Sequence, residues 1–108
     1  MNIRVVYHSR SGNTMKLAQA IGEALNVRPE RIGKEKITFT EPADLLFVGD
    51  GIYLHKPHRK TRALIQGLNP AIVKNAAAFG TYGNQFEIGE QIANLLKERH
   101  INVVGEPF

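Results

Sequence analysis

The sequence contains no cysteine. Disulfides, thiolate metal sites and thiol nucleophiles are therefore excluded, and a reducing cytosol suits such a chain. No apolar stretch is long enough to span a bilayer, and no signal peptide precedes the first apolar run. A cytoplasmic protein without a membrane partner is expected. Acidic residues are missing from one long segment. Between Gly51 and Phe86 there is no Asp or Glu, while Lys56, Arg59, Lys60, Arg62 and Lys74 fall there. The net charge of +4 thus hides an uneven distribution, because the rest of the chain carries nine basic against ten acidic residues. Such a basic block suits an acidic partner. Nucleic acid is not favoured in that role, since the block has neither interleaved aromatics for base stacking nor a nucleic-acid motif. Repeats, low-complexity tracts and linkers are also missing, so the 108 residues are expected to form one domain, 1–108.

Apolar runs alternate with helical patterns along the whole chain. Residues 2–8 ("NIRVVYH") read as a buried strand. From Asn13 to Asn26, residues Leu17, Ala18, Ile21, Ala24 and Leu25 recur on one helical face. Residues 30–39 form a weak polar strand suited to an edge, and 43–50 ("ADLLFVGD") a second buried strand. A helix from about His58 to Leu68 ends at Gly67-Leu68-Asn69-Pro70. A third buried strand, 75–80, precedes a helix from Phe86 to His100 whose apolar face is Ile88, Ile92, Leu95 and Leu96. Residues 101–108 read as a last strand. Strands separated by helices predict an α/β protein with a parallel sheet. Ligands of such sheets lie beyond the carboxyl ends of the strands, which directs attention to the loops 8–14, 50–58 and 80–87.

The first of these loops, "YHSRSGNT" (7–14), crowds small polar groups against the start of a helix. A phosphate there can accept hydrogen bonds from first-turn amides and from the hydroxyls of Ser9, Ser11 and Thr14. Gly12 lets the backbone approach closely, Asn13 can cap the helix or bind the anion, and Arg10 can add charge. No Gly-Lys-Ser/Thr follows, and Gly-x-Gly-x-x-Gly is absent, so neither a Walker loop nor a dinucleotide fingerprint is present. A phosphate held by hydroxyls and amides points to a mononucleotide that is bound and not cleaved.

The same stretch resembles the flavin mononucleotide (FMN) phosphate loop of the flavodoxin family. Residues 48–65 ("VGDGIYLHKPHRKTRALI") are similar to the Gly-x-Gly-Ile-Tyr segment of short flavodoxin-like proteins. Residues 77–84 ("AAFGTYGN") fall where that family's second ring-contacting loop lies. The resemblance covers the chain in order. It implies a three-layer flavodoxin-like fold with a five-stranded parallel sheet of order 2-1-3-4-5, FMN as cofactor, and electron transfer as an electron carrier or small oxidoreductase. It assigns Ser9, Arg10, Ser11, Gly12, Asn13 and Thr14 to the phosphate. Gly51, Ile52, Tyr53 and Leu54 fall on one wall of the ring site, and Gly80, Thr81, Tyr82, Gly83 and Asn84 on the other. No side chain presents itself as a catalytic acid, base or nucleophile.

Three departures from the family pattern qualify this picture. The sequence given ends at Phe108, before the usual last helix, so an apolar sheet face is expected to lie open and to be covered by a second subunit in a homodimer. The segment 27–43 is too short for a full helix, which is expected to reduce to a loop. The loop 54–60 ("LHKPHRK") is basic where the family is acidic. It is expected to make the flavin's more negative couple less negative, to make that couple pH-dependent through His55 and His58, and to dock an acidic redox partner. His55 and His58 make a poor metal site, with no carboxylate near them after Asp50. An alternative from another class is a flavin-free binding module that uses the open sheet face, or the phosphate loop for another phosphate ligand.

Overall fold

The computed structural model describes residues 1–10, 12–33, 36–51, 56–80 and 85–108, omitting the side chains of 85–87. The apolar runs become strands β1 (Ile3–Tyr7), β2 (Glu30–Arg31), β3 (Leu45–Asp50), β4 (Asn75–Gly80) and β5 (Asn102–Val103). The helical patterns become α1 (Asn13–Leu25), α2 (Arg59–Gln66) and α3 (Gln85–Glu98). All strand pairs are parallel, in the order β2-β1-β3-β4-β5.

Alternation along each strand builds the two outer layers. Val6, Leu46, Val48, Ala76 and Ala78 point to one face and meet Ile65 of α2 and Ile88, Ile92 and Leu96 of α3. Val5, Tyr7 and Phe79 point to the other face and meet Ala18, with Leu17 and Ile21 of α1 packed around them. The central strands are buried on both sides, which is why they read as continuous apolar runs. The buried stripe of α1 is Thr14, Ala18 and Gly22. A side chain at position 22 would strike the Val27 carbonyl and Pro29, so Gly22 permits the turn that leads to β2. Ala24 and Leu25, expected on the apolar face, are exposed instead.

Both edge strands are shorter than expected. The polar run 30–39 gives only the two residues of β2. Arg4 then anchors the chain that follows: its guanidinium makes a bidentate pair with Glu30 (2.9 and 2.6 Å), donates to the Thr38 carbonyl (2.6 Å) and covers the Phe39 ring. No helix lies among the described residues between β2 and β3, as the short segment predicted. In its place a groove of about 660 Å³ opens beside α2, lined in part by Ile37, Phe39, Leu64 and Ile72. None of the predicted site residues lines it.

No helix follows β5 among the described residues, yet the sheet face on that side is less open than expected. The chain beyond β5 continues along β4. Phe108 N–H donates to the Ala78 carbonyl (3.1 Å), and Gly80 N–H to the Phe108 carbonyl (2.6 Å). The Phe108 ring stacks on Phe79 at 5.9 Å and meets Phe47 edge-on at 6.3 Å. Phe79 is completely buried, and the exposure passes to Phe108, which is 47% exposed.

Candidate functional site

The strand order reverses direction at β1, between β2 and β3, and three loops leave the sheet on this carboxyl edge from β1, β3 and β4. The first holds the predicted phosphate residues. Gly12 has φ +96°, a left-handed conformation that costs an L side chain strain. Among the described residues, none beyond its chain neighbours comes within 4 Å of where its Cβ would be. Ser9 is 2% exposed, and its Oγ accepts from Gly12 N–H (3.0 Å), so this hydroxyl shapes the loop. Thr14 is buried at 1%, and Arg10 and Asn13 are exposed. The N-cap residue of α1 makes no side-chain cap hydrogen bond, and no acidic residue sits in the first turn of the helix. Gly12, not Asn13, is the residue at the cap. The positive end of the helix therefore faces a loop free of opposing charge. Ser11 lies outside the described residues.

On the ring side the described residues are fewer. Gly51 and Gly80 are buried at the ends of β3 and β4. Ile52, Tyr53, Leu54, Thr81, Tyr82, Gly83 and Asn84 lie outside the described residues, as does His55. A side chain at Gly80 would strike Ile88 of α3, and one at Gly49 would fall on the Phe79 ring. Glycine at both positions lets the layers close beneath this edge.

The fold also brings together residues that sequence reading did not connect. The parallel register sets Tyr7 beside Gly49, so the next residues, His8 and Asp50, are neighbours. Asp50 is completely buried. Its Oδ1 accepts from Gly51 N–H (2.7 Å) and lies 3.2 Å from His8 Nδ1; its Oδ2 accepts from His58 N–H (2.7 Å). The His8 and His58 rings stack at 4.0 Å with 14° between their planes. His58 Nδ1 accepts from Lys60 N–H (3.1 Å), making His58 the N-cap of α2. Burial pushes the Asp50 carboxyl up to about 6, opposed by Thr61 and by the two amides it accepts from. The Thr61 hydroxyl is near enough to favour the ionised form, but Oγ1 is buried without a well-formed hydrogen bond. Burial holds His8 below the usual histidine range, helped by the charges of Arg31 and Lys60. His58 is lowered by burial first and then by His8. Among the described residues no group of three or more metal-ligating side chains could hold an ion.

Arg31, the last residue of β2, was also missed. Its guanidinium donates to the Ser9 carbonyl (2.6 Å), which brings a cation to loop 8–14 from the neighbouring strand. The signal was available in principle: β2 pairs with β1, so its carboxyl end must lie beside loop 8–14. The basic block, by contrast, divides. Lys56, Arg59 and Lys60 lie at the carboxyl edge with Arg10 and Arg31, whereas Lys74 precedes β4 at the opposite edge.

Sheet order and layers define the class: a doubly wound α/β protein, with a glycine-turned loop at the switch point on the carboxyl edge of β1, β3 and β4. Within that class the chain is flavodoxin-like. It is similar to a flavodoxin from the domain Archaea, with 27% identity, TM-score 0.73, and coverage of 100% of this chain and 84% of that one. It is similar in fold to a flavoprotein in complex with FMN from Lactobacillus acidophilus (15% identity, TM-score 0.72, 98% and 91% covered). It is also similar in fold to rubredoxin oxygen:oxidoreductase from the anaerobe Desulfovibrio gigas (18% identity, TM-score 0.81). There it covers 98% of this chain but spans only 29% of the larger protein. No protein-family model and no curated protein sequence matches the chain. Among the described residues no helix is long and apolar enough to cross a membrane.

Proposed function

We propose that the protein binds FMN at the carboxyl edge of its sheet and transfers electrons through it. The phosphate would lie on loop 9–14 and the first turn of α1. The observation that carries this reading is the loop itself: a left-handed Gly12, φ +96°, forms the N-cap of a helix whose first turn is free of acidic residues, beside the switch point. Arg31 adds a cation there. These features fit a phosphate, whose charge the amides, hydroxyls and guanidinium would offset. Gly51–Leu54 and Gly80–Asn84 would flank the ring. When bound, the flavin supplies the redox chemistry; the chain binds it, orients it and sets its surroundings. The cations around the edge would make the flavin easier to reduce than an acidic surround does, and would dock an acidic redox protein.

A spectral titration tests the binding. The purified protein is expected to carry flavin, or to perturb the visible band of added FMN at micromolar concentration. If FMN added at that concentration leaves the band unchanged, the reading fails and the flavin-free binding module takes its place.

A further inference from the structure

Asp50 does more than end a strand. Its Oδ1 fixes the amide of Gly51, where the chain leaves β3, and its Oδ2 fixes the amide of His58, where the chain enters α2. Oδ1 also meets His8, the first residue after β1 and the entry to the phosphate loop. The stack of His8 on His58 closes the arrangement, and His58 in turn caps α2. One buried carboxylate thus joins both anchor points of the 51–58 connection to the start of loop 9–14.

We propose that Asp50 is the positioning residue of this ligand edge: ionised, it holds the Gly51 and His58 anchor points and His8 together, and protonated, it releases part of that set. An ionised carboxylate is an acceptor only and has room for the two amide N–H groups that converge here and for His8 in the tautomer that carries its proton on Nδ1. Adding a proton turns one oxygen into a donor and a poor acceptor. A proton on Oδ2 displaces the His58 amide, and the Thr61 hydroxyl near the carboxyl can accept a hydrogen bond from the protonated group. A proton on Oδ1 displaces the Gly51 amide or His8. Among the described residues, the groups facing this centre are His8 after β1, Arg31 at the end of β2, and His58, Arg59, Lys60 and Thr61 at the start of α2. Burial, helped by the charges of Arg31 and Lys60, disfavours a charge on His8 and so favours the neutral ring beside the carboxylate. The carboxyl's elevation to about 6 places the change near physiological pH. The consequence for FMN rests on the proposed function; the anchoring itself does not.

The test therefore begins without flavin. Amide resonances of Gly51 and His58 are followed by NMR in the ligand-free protein from pH 4.5 to 8. Both are expected to move through one common midpoint near 6. Asp50→Asn abolishes that midpoint, and Asp44→Asn, at the opposite end of the sheet, keeps it. Separate midpoints for the two amides, or a common midpoint that survives in Asp50→Asn, overturn the proposal. Should Asp50→Asn fail to fold, the carboxyl carbon of Asp50 in the unmodified protein decides, and a midpoint below 4.5 overturns it. FMN affinity is then compared at pH 7.5 and pH 5. A fall of about fivefold or more, absent in Asp50→Asn, supports the link to the ligand. A common amide midpoint in a protein that binds no FMN upholds the anchoring and removes only the flavin reading.

Discussion

Asp50 is buried, and the amides that surround it do not fully offset that burial. A carboxyl raised from 3.8 to about 6 binds its proton more tightly folded than unfolded. Between those values the folded state holds the extra proton, so this residue's contribution to stability falls as pH rises through the window and levels off above it. The difference corresponds to about 3 kcal/mol at most. Asp50→Asn removes this dependence. The stability of the variant relative to the parent is expected to rise between pH 4 and pH 7, measured by urea unfolding at each pH. A constant difference across that range contradicts the assignment. His8 and His58 work in the opposite sense. Their depressed values weaken the fold as pH falls below the usual histidine range, so the comparison with the variant is what isolates Asp50. The loop residues Ser9, Gly12 and Thr14 were legible in the sequence because their types and spacing are local. Asp50, His8 and Arg31 were not, because what joins them is register between strands far apart in the chain.

Elements were legible in proportion to their burial. β4 matches its expected span because all of Ala76 to Gly80 is buried, and α3 because Ile88, Ile92 and Leu96 fall at successive helical turns. The edge strands β2 and β5 shrink because one long side of each lacks a partner strand. Beyond β5 the chain keeps only scattered bonds to β4, through Val104 and Phe108. The packing between β3 and β4 was invisible in the sequence, since it depends on Phe79 lying across Gly49. A methyl group at position 49 falls on that ring, which is itself pinned by Phe108. Gly49→Ala is expected to cost about 3 kcal/mol by overpacking, read as a lower urea midpoint with an unchanged slope. A cost below about 0.5 kcal/mol contradicts the packing described.

For the whole molecule, charge is the property that the fold rearranges most. The sequence shows one basic block; the structure splits it and adds Arg10 and Arg31 to the part at the carboxyl edge. An acidic redox partner is expected to associate through that edge. Arg59→Glu should slow association about fivefold at low salt, with the difference shrinking as salt is added. Lys74→Glu changes the net charge equally from the opposite edge and should have a much smaller effect. Equal slowing by both variants, seen in stopped-flow association with an acidic redox protein, contradicts a defined docking edge.

The central claim is that loop 9–14 and the start of α1 hold the phosphate of FMN. Calorimetric titration with FMN and with riboflavin, which share the ring and differ in the phosphate, tests it most directly. The account predicts that FMN binds at least about tenfold more tightly, a difference of about 1.4 kcal/mol or more, and that Arg31→Ala weakens FMN while sparing riboflavin. Equal affinity for the two flavins, or binding of neither, contradicts it.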